Sequence, residues 1–295
     1  MKYGLVACDF DGTLLRSDNT ISDYTRAVIA AYIAAGGVFM PATGRIHNSI
    51  KRRMTDIGLT ANVPIASYQG AMIRENVTDK VLYYKPVANA AALEVALEAE
   101  RLGLYVQTYN YDDLIISGLY DGEEDWPGIK KEPEGSIYQK MGSFSGSFGR
   151  KYAVSLGIEM TIIPGKISDY LFLNRNDPPK MLIVCPPVDM PKQLKHFTEA
   201  FPGLVVNTSE AYMMEIISPE AGKDRACDIV CVLLGIGIES CMAIGDSMND
   251  YTMIAHAGFG IAVGNARDAV KAAAKYVTDT NNEDGAAKAI EKFCL

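Results

Sequence analysis

The sequence predicts an α/β protein: a doubly wound parallel sheet with an inserted α+β module. Three observations carry this. Short apolar runs alternate with amphipathic helical stretches at both ends of the chain, the pattern of βα units in a buried parallel sheet. The middle has a different texture, with paired strands, longer helices and a polar loop. Acidic and glycine-containing stretches directly follow several of the terminal apolar runs, where open α/β sheets hold their ligands.

The elements follow in order. GLVAC (4–8) is a near-continuous apolar run suited to a strand buried on both faces. Next, Ser22 caps a helix in which Val28, Ala31, Tyr32 and Ala35 recur at i, i+3, i+4 and i+7, and Gly36 ends it. VFMPAT (38–43) reads as the second strand, 46–57 as a helix and VPIAS (63–67) as a third strand. AMIRENVTDKVLYY is a hairpin turning near 76–79. In the tail, 223–234 is a helix ended by Gly235, CMAI (241–244) a strand and 248–256 a helix. FGIAV (259–263) is a strand, 266–275 a helix, YVT (276–278) a short strand and 284–292 the closing helix. The two ends therefore build one sheet, a core of residues 1–86 and 216–295.

The inserted module is 87–215. It offers a helix (87–102), strands at 104–108 and 113–117, and a polar loop at 118–135. A helix near 147–156 follows, then strands near 159–163 and 169–173 and the turn NRNDPPK. MLIVC is a strand, 189–200 a helix, and LVVNT with YMMEII a last strand pair. Its tyrosines (Tyr105, Tyr109, Tyr111, Tyr138) and Trp126 could line a pocket, but strand spacing favours packing. Asn174 and Arg175 fit either a turn or a substrate contact.

A chain of 295 residues with 48% hydrophobic content has ample core for one large or two ordinary domains. The net charge of −8 argues against a nucleic-acid or anionic-membrane partner. It leaves room for a small anion in a locally positive pocket. Six scattered cysteines, with no Cys-x-x-Cys pair, read as free thiols of a reducing, cytoplasmic compartment. An apolar strand begins almost at Met1, so no signal peptide is expected, and IVCVLLGIGI is too short to span a membrane.

CDFDGTLL (8–15) poses the chemical question. Residues i and i+2 of a strand point the same way, so Asp9 and Asp11 aim at one place. Two carboxylates 4 Å apart repel by about 4 kcal/mol at an effective dielectric of 20. A cation, a shared proton or solvation must offset this. Three other stretches sit at matching places. Thr43 and Gly44 in PATGR offer a hydroxyl and amides, a phosphate cradle or a plain helix cap. Lys223 opens a helix, where the dipole disfavours it unless it faces an anion; the alternative is a solvated lysine. In GDSMND, Asp246 and Asp250 straddle a turn into a helix, which an N-cap also explains. Together, four carboxylates and one lysine converge on one sheet edge. An oxygen-rich set without His or Cys suits a hard cation, Mg²⁺, and a phosphate dianion opposite Lys223. A carboxylate such as Asp9 can then attack phosphorus, and Asp11 can protonate the leaving alkoxide and later activate water.

At these residues the chain resembles the haloacid dehalogenase (HAD) superfamily, and within it the Cof-type sugar-phosphatase-like hydrolases of subclass IIB. Asp9-Phe10-Asp11-Gly12-Thr13-Leu14 fits the first motif, Thr43-Gly44-Arg45 the second, Lys223 the third and Gly245-Asp246-Ser247-Met248-Asn249-Asp250 the fourth. The tail from Gly258 to Ile290 is also very similar to that subfamily. Two stretches depart from it: Gln69-Gly70-Ala71 stands where Asn-Gly-Ala is usual, and Ala221-Gly222-Lys223-Asp224 replaces a Gly-Val-x-Lys-Gly approach.

The resemblance implies a Mg²⁺-dependent phosphatase acting on a small phosphorylated metabolite, such as a sugar phosphate, through an aspartyl phosphate. Asp9 would be nucleophile and metal ligand, and Asp11 the acid/base that lends its backbone carbonyl to the metal. Thr43, Gly44 and Lys223 would bind phosphate, with Asn249 assisting. Asp246 would ligate the metal and Asp250 support its shell. The module would be a cap domain that chooses substrate. A phosphomannomutase-like phosphomutase and a non-catalytic phosphometabolite sensor are the competing expectations. Retention of both Asp9 and Asp11 speaks against the sensor.

Overall fold

A computed structural model describes residues 2–120 and 148–295. Trp126, Tyr138 and most of the polar loop at 118–135 lie outside the described residues. The strands are β1 (Leu5–Cys8), β2 (Val38–Pro41), β3 (Pro64–Ser67), β4 (Met72–Glu75), β5 (Val81–Tyr84), β6 (Tyr105–Asn110), β7 (Asp113–Ser117), β8 (Met160–Ile163), β9 (Met181–Val184), β10 (Val205–Glu210), β11 (Met213–Ile217), β12 (Cys241–Gly245), β13 (Phe259–Ala262) and β14 (Tyr276–Val277). Packing divides the chain into two compact units: Met1–Lys85 with Glu220–Leu295, and Pro86–Pro219.

The first unit is built on a sheet of order β14-β13-β12-β1-β2, in which every pair is parallel. Both ends of the chain contribute to it, as the alternation of apolar runs and helices predicts. β1 is fully buried, and its residues alternate between two cores. Val6 and Cys8 join the helices Asp23–Ala34 and Gly285–Cys294, while Leu5 and Ala7 join the helix Lys223–Leu234. Burial on both faces is why the run shows no polar alternation. Ser22 caps the first helix by accepting the Thr25 N–H at 3.0 Å. All six cysteines are buried, and none is paired in a disulfide.

The third strand differs from expectation. A single parallel bridge, Ala42 to Ala66, ties β3 to the end of β2. Its ladder runs instead to the β4–β5 hairpin, forming an antiparallel sheet of order β3-β4-β5.

The second unit holds a six-stranded sheet of order β10-β11-β9-β6-β7-β8, antiparallel except between β7 and β8. The helices Asn89–Arg101, Ile167–Asn174 and Met190–Ala200 supply Val95, Leu171 and Phe197 to a core with Val106, Ile183 and Ile216. Residues 169–173, expected as a strand, lie inside the second of these helices. Ile167 and Leu171 point inward at helical spacing, but Phe172 and Leu173 are 64% and 75% exposed. Apolar residues on the solvent side made a helix look like a continuous strand. Asn174 ends this helix and Arg175 caps it at φ 52°, so the pair is a helix terminus rather than the end of a strand. The expected return to the core at 216 also falls inside β11, whose pairing with β9 and β10 keeps the chain in this unit to Pro219.

A polar network occupies the other face of this sheet. Lys180 and Glu215 form an ion pair with side chains 1% and 4% exposed. The Lys180 ammonium also lies 5.3 Å from the Tyr109 ring centre, and Gln107 links the hydroxyls of Tyr105 and Tyr109. Tyr105 and Tyr109 are therefore core residues. Truncating one member of a buried pair strands the other, so Lys180→Met is expected to destabilise this unit by about 3–5 kcal/mol. The double variant Lys180→Met/Glu215→Leu should recover most of that loss. Urea denaturation followed by circular dichroism checks both.

Candidate active site

Parallel register assembles the site. β1 ends with Cys8 paired to Pro41 of β2 and Ile244 of β12. The next residues therefore leave the sheet at one edge: Asp9 from β1, Thr43 from β2 and Asp246 from β12. Two backbone bonds fix the exits, from Asp9 N–H to the Ile244 carbonyl (2.9 Å) and from Ala42 N–H to the Cys8 carbonyl (2.8 Å).

Lys223 reaches this edge from the first residue of its helix. Its Nζ lies 2.6 Å from Asp9 Oδ1 and 2.6 Å from Asp250 Oδ1, with its side chain only 1% exposed. The dipole cost of a lysine at a helix start is thus met by two carboxylates. The approach to it is set by contact between two loops. Gly70 adopts φ 87°, and a Cβ there would stand 2.1 Å from the Gly222 carbonyl oxygen. Only glycine permits that approach. The altered sequence before Lys223 therefore still delivers the ammonium to Asp9.

Asp250 is fully buried, and both of its oxygens are engaged. Oδ1 meets Lys223, and Oδ2 accepts the backbone N–H groups of Asp246 (3.1 Å) and Ser247 (3.0 Å). Asp246 is held by the Thr13 hydroxyl, which donates to its Oδ1 at 3.1 Å. Gly12, at φ 77°, would bring a Cβ to 2.8 Å from Asp246 Oδ2, so the Asp-Gly turn wraps this carboxylate. Among the described residues, Asp9, Asp246 and Asp250 form a group with one carboxylate oxygen each, all within 4.8 Å of one another.

Electrostatics match that crowding. Burial, then the neighbouring Asp250, hold the Asp9 carboxyl well above its ordinary range, with Lys223 opposing. Asp246 is pushed up to about 6 by burial and by Asp250, against the Thr13 hydroxyl bond. Burial works against the Lys223 ammonium, but the two carboxylates outweigh it and leave its pKa raised. With Asp9 and Asp246 both resisting ionisation, this corner of the site is short of positive charge. A hard dication fits the all-oxygen donor set.

Asp11 lies apart from this cluster, with its side chain 47% exposed. Arg45 grips it through two bonds, Nε to Oδ2 at 2.7 Å and Nη2 to Oδ1 at 2.5 Å. Arg45 closes the second motif, and its place there does not reveal this grip. The signal for it lies in Asp11: a second acid beside Asp9 needs its own cation. Thr43 is buried, and its hydroxyl accepts the Arg45 N–H at 3.1 Å, so Thr43 and Gly44 lead directly into that grip. Asn249 is not joined to Lys223 by a hydrogen bond. Its amide donates to Gln69 Oε1 at 3.4 Å, and its buried Oδ1 has no hydrogen-bond partner among the described residues. Gln69 is itself buried at φ 58°, a conformation that a non-glycine residue adopts at a cost.

Comparison with known proteins follows the same lines. Residues 6–290 match the family described as haloacid dehalogenase-like hydrolase. A curated Bacillus subtilis relative, 5-amino-6-(5-phospho-D-ribitylamino)uracil phosphatase YwtE, is 27% identical over 289 residues, covering 98% of this chain and 97% of its own. The solved structure of a haloacid dehalogenase-like hydrolase from Bacteroides thetaiotaomicron is similar with a TM-score of 0.76 at 25% identity, covering 98% of this chain and 99% of that one. A HAD subclass IIB sugar phosphatase shares the fold with a TM-score of 0.75 at 20% identity over 99% of both chains.

Proposed function

The chain belongs to the haloacid dehalogenase-like hydrolases, and from that membership we propose that it is a Mg²⁺-dependent phosphatase of a small phosphorylated metabolite, working through an aspartyl phosphate. One observation carries the reading: Lys223 bridges Asp9 and Asp250 beside Asp246, at the sheet edge where ligands bind. The names of the relatives support the substrate class. One acts on a phosphorylated ribityl chain and another on sugar phosphates, both monoesters of a polyhydroxylated carbon chain.

In this reading Asp9 and Asp246 would hold the Mg²⁺, with the Asp11 carbonyl as a further oxygen donor. When bound, the ion neutralises charge on the transferring phosphoryl group. Asp9 attacks phosphorus through its free oxygen, since Oδ1 is held by Lys223. Lys223 then has a phosphoryl oxygen to neutralise as well as Asp9, while Asp250 keeps it aimed. Thr43 and Gly44 supply the hydroxyl and amide side of the phosphate pocket. Asp11, presented by Arg45, protonates the leaving oxygen and later takes a proton from water. Asn249 and Gln69 line the same region, and the inserted unit selects the substrate.

The test is phosphate release across a panel of phosphorylated sugars and sugar alcohols, with Mg²⁺ or with EDTA. Steady release of inorganic phosphate that EDTA abolishes is expected. Isomerised sugar phosphate without free phosphate would instead mark a mutase.

Stability should report the same cluster. The folded pKa of Asp246, about 6, lies above the unfolded carboxylate range. Its contribution is therefore fully present below the unfolded pKa and is lost as pH rises through about 6. Asp9 acts in the same direction. In EDTA the Tm is expected to fall between pH 5 and 7.5. Added Mg²⁺ should raise the Tm strongly at pH 7.5 and little at pH 5, where Asp246 is protonated. Differential scanning fluorimetry at the two pH values checks this.

A further inference from the structure

The loop that carries Asp11, Gly12 and Thr13 is held from outside by the far end of the chain. Asn265 Nδ2 donates to the Gly12 carbonyl at 2.8 Å. The same side chain accepts the Asn281 N–H on its Oδ1 at 2.9 Å. Asn281 Nδ2 donates in turn to the Leu15 carbonyl at 2.8 Å, and Asn282 Oδ1 accepts the Ser17 N–H at 2.9 Å. A cavity of about 430 Å³ runs along this side of the loop, lined by Asp11, Gly12, Leu15, Asn265 and Asn281 among others. Phe10, Leu14 and Leu15 pack the loop into the core on its inner side, and on the side of the cavity the amide bonds hold it.

Gly12 is the weak point. At φ 77° and without a Cβ, it leaves the following peptide free to rotate unless its carbonyl is fixed. That peptide places Thr13, whose hydroxyl holds Asp246 Oδ1. The peptide before it places the Asp11 carbonyl. We propose that Asn265 is a positioning residue for the metal centre: by holding the Gly12 carbonyl, it sets both the Asp11 peptide and the Thr13 clasp on Asp246. This rests on the reading of Asp9, Asp11 and Asp246 as a Mg²⁺ site, and it assigns to the Asn-rich tail a task that the motifs leave unassigned.

Asn265→Asp separates the two bonds. It keeps an oxygen for the Asn281 N–H and loses the donor to Gly12. Partners of metal-binding groups typically tune affinity 10–100-fold, so Mn²⁺ binding read by electron paramagnetic resonance should weaken about tenfold or more. The kcat for p-nitrophenyl phosphate at subsaturating metal should fall in parallel, with KM nearly unchanged. Asn282→Ala, which removes a bond to Ser17 at the distal end of the loop, should lower the Tm yet leave Mn²⁺ binding as in wild type. Should the aspartate variant fail to fold, Asn265→Ser deletes the same bond without adding charge. Wild-type Mn²⁺ affinity in a folded Asn265 variant overturns the proposal. A wild type that binds no Mn²⁺ overturns the phosphatase reading and this inference with it.

Discussion

Asp9→Asn is expected to abolish turnover, by about 10⁴-fold or more, because an amide oxygen cannot replace the attacking carboxylate. The fold should survive. The side chains are nearly the same size, Asp9 is only 8% exposed, and Lys223 keeps its bond to Asp250. Stability in EDTA should not fall at neutral pH. Burial and Asp250 hold the Asp9 pKa well above its ordinary range, so its ionised form carries a cost that a neutral amide removes. The rise in Tm with Mg²⁺ should shrink sharply, since one of the two carboxylates proposed to hold the ion is gone. The combination is diagnostic. An inactive variant with a metal-free Tm at or above that of wild type and a blunted Mg²⁺ response places Asp9 in the chemistry. A variant that retains a tenth of wild-type turnover would remove Asp9 as the nucleophile and with it the covalent mechanism.

The sequence made the parallel sheet readable because β1 is an unbroken apolar run and Gly36 and Gly235 punctuate the helices. Asp9, Lys223 and Asp246 were readable as candidates because each stands where a strand ends or a helix starts. What failed was local pattern without its tertiary partner. DYLFL carries strand-like residues on all sides, and only the packing of Ile167 and Leu171 against the second sheet makes it helical. VPIAS reads equally well as a parallel or an antiparallel strand, and the choice came from the β4–β5 hairpin beside it. Within the site, the grip of Arg45 on Asp11 and of Asn265 on Gly12 join residues 34 and 253 positions apart. No periodicity encodes such pairs; they exist because the register of the sheet brings their loops together. Asn249 is a further case. Its place in the fourth motif does not reveal that Gln69, one methylene longer than the usual asparagine, accepts its amide.

Asp11→Asn should give the second large loss, about 10²–10⁴-fold in kcat, the usual range for removing a general acid–base. The loss should depend on the leaving group. A sugar alkoxide needs a proton to depart, so both chemical steps suffer with a natural ester. p-Nitrophenolate leaves unaided, so formation of the aspartyl phosphate should proceed while its hydrolysis, deprived of the base, stalls. Stopped-flow mixing is therefore expected to show a burst of p-nitrophenol near one equivalent of enzyme, followed by slow turnover. The variant also leaves Arg45 facing an amide where it now makes two bonds to a carboxylate. Because this pair is half exposed on the Asp11 side, the stability cost should be small, within about 1 kcal/mol. Arg45→Ala tests the pair from the other end. If Arg45 presents Asp11, its removal should lower kcat for a sugar phosphate more than for p-nitrophenyl phosphate, because only the poorer leaving group depends on where that acid stands. Equal losses on both substrates would assign Arg45 to phosphate binding instead. The absence of a burst in Asp11→Asn would mean that this carboxylate serves the first step alone, and the base that activates water would have to be sought elsewhere at the sheet edge.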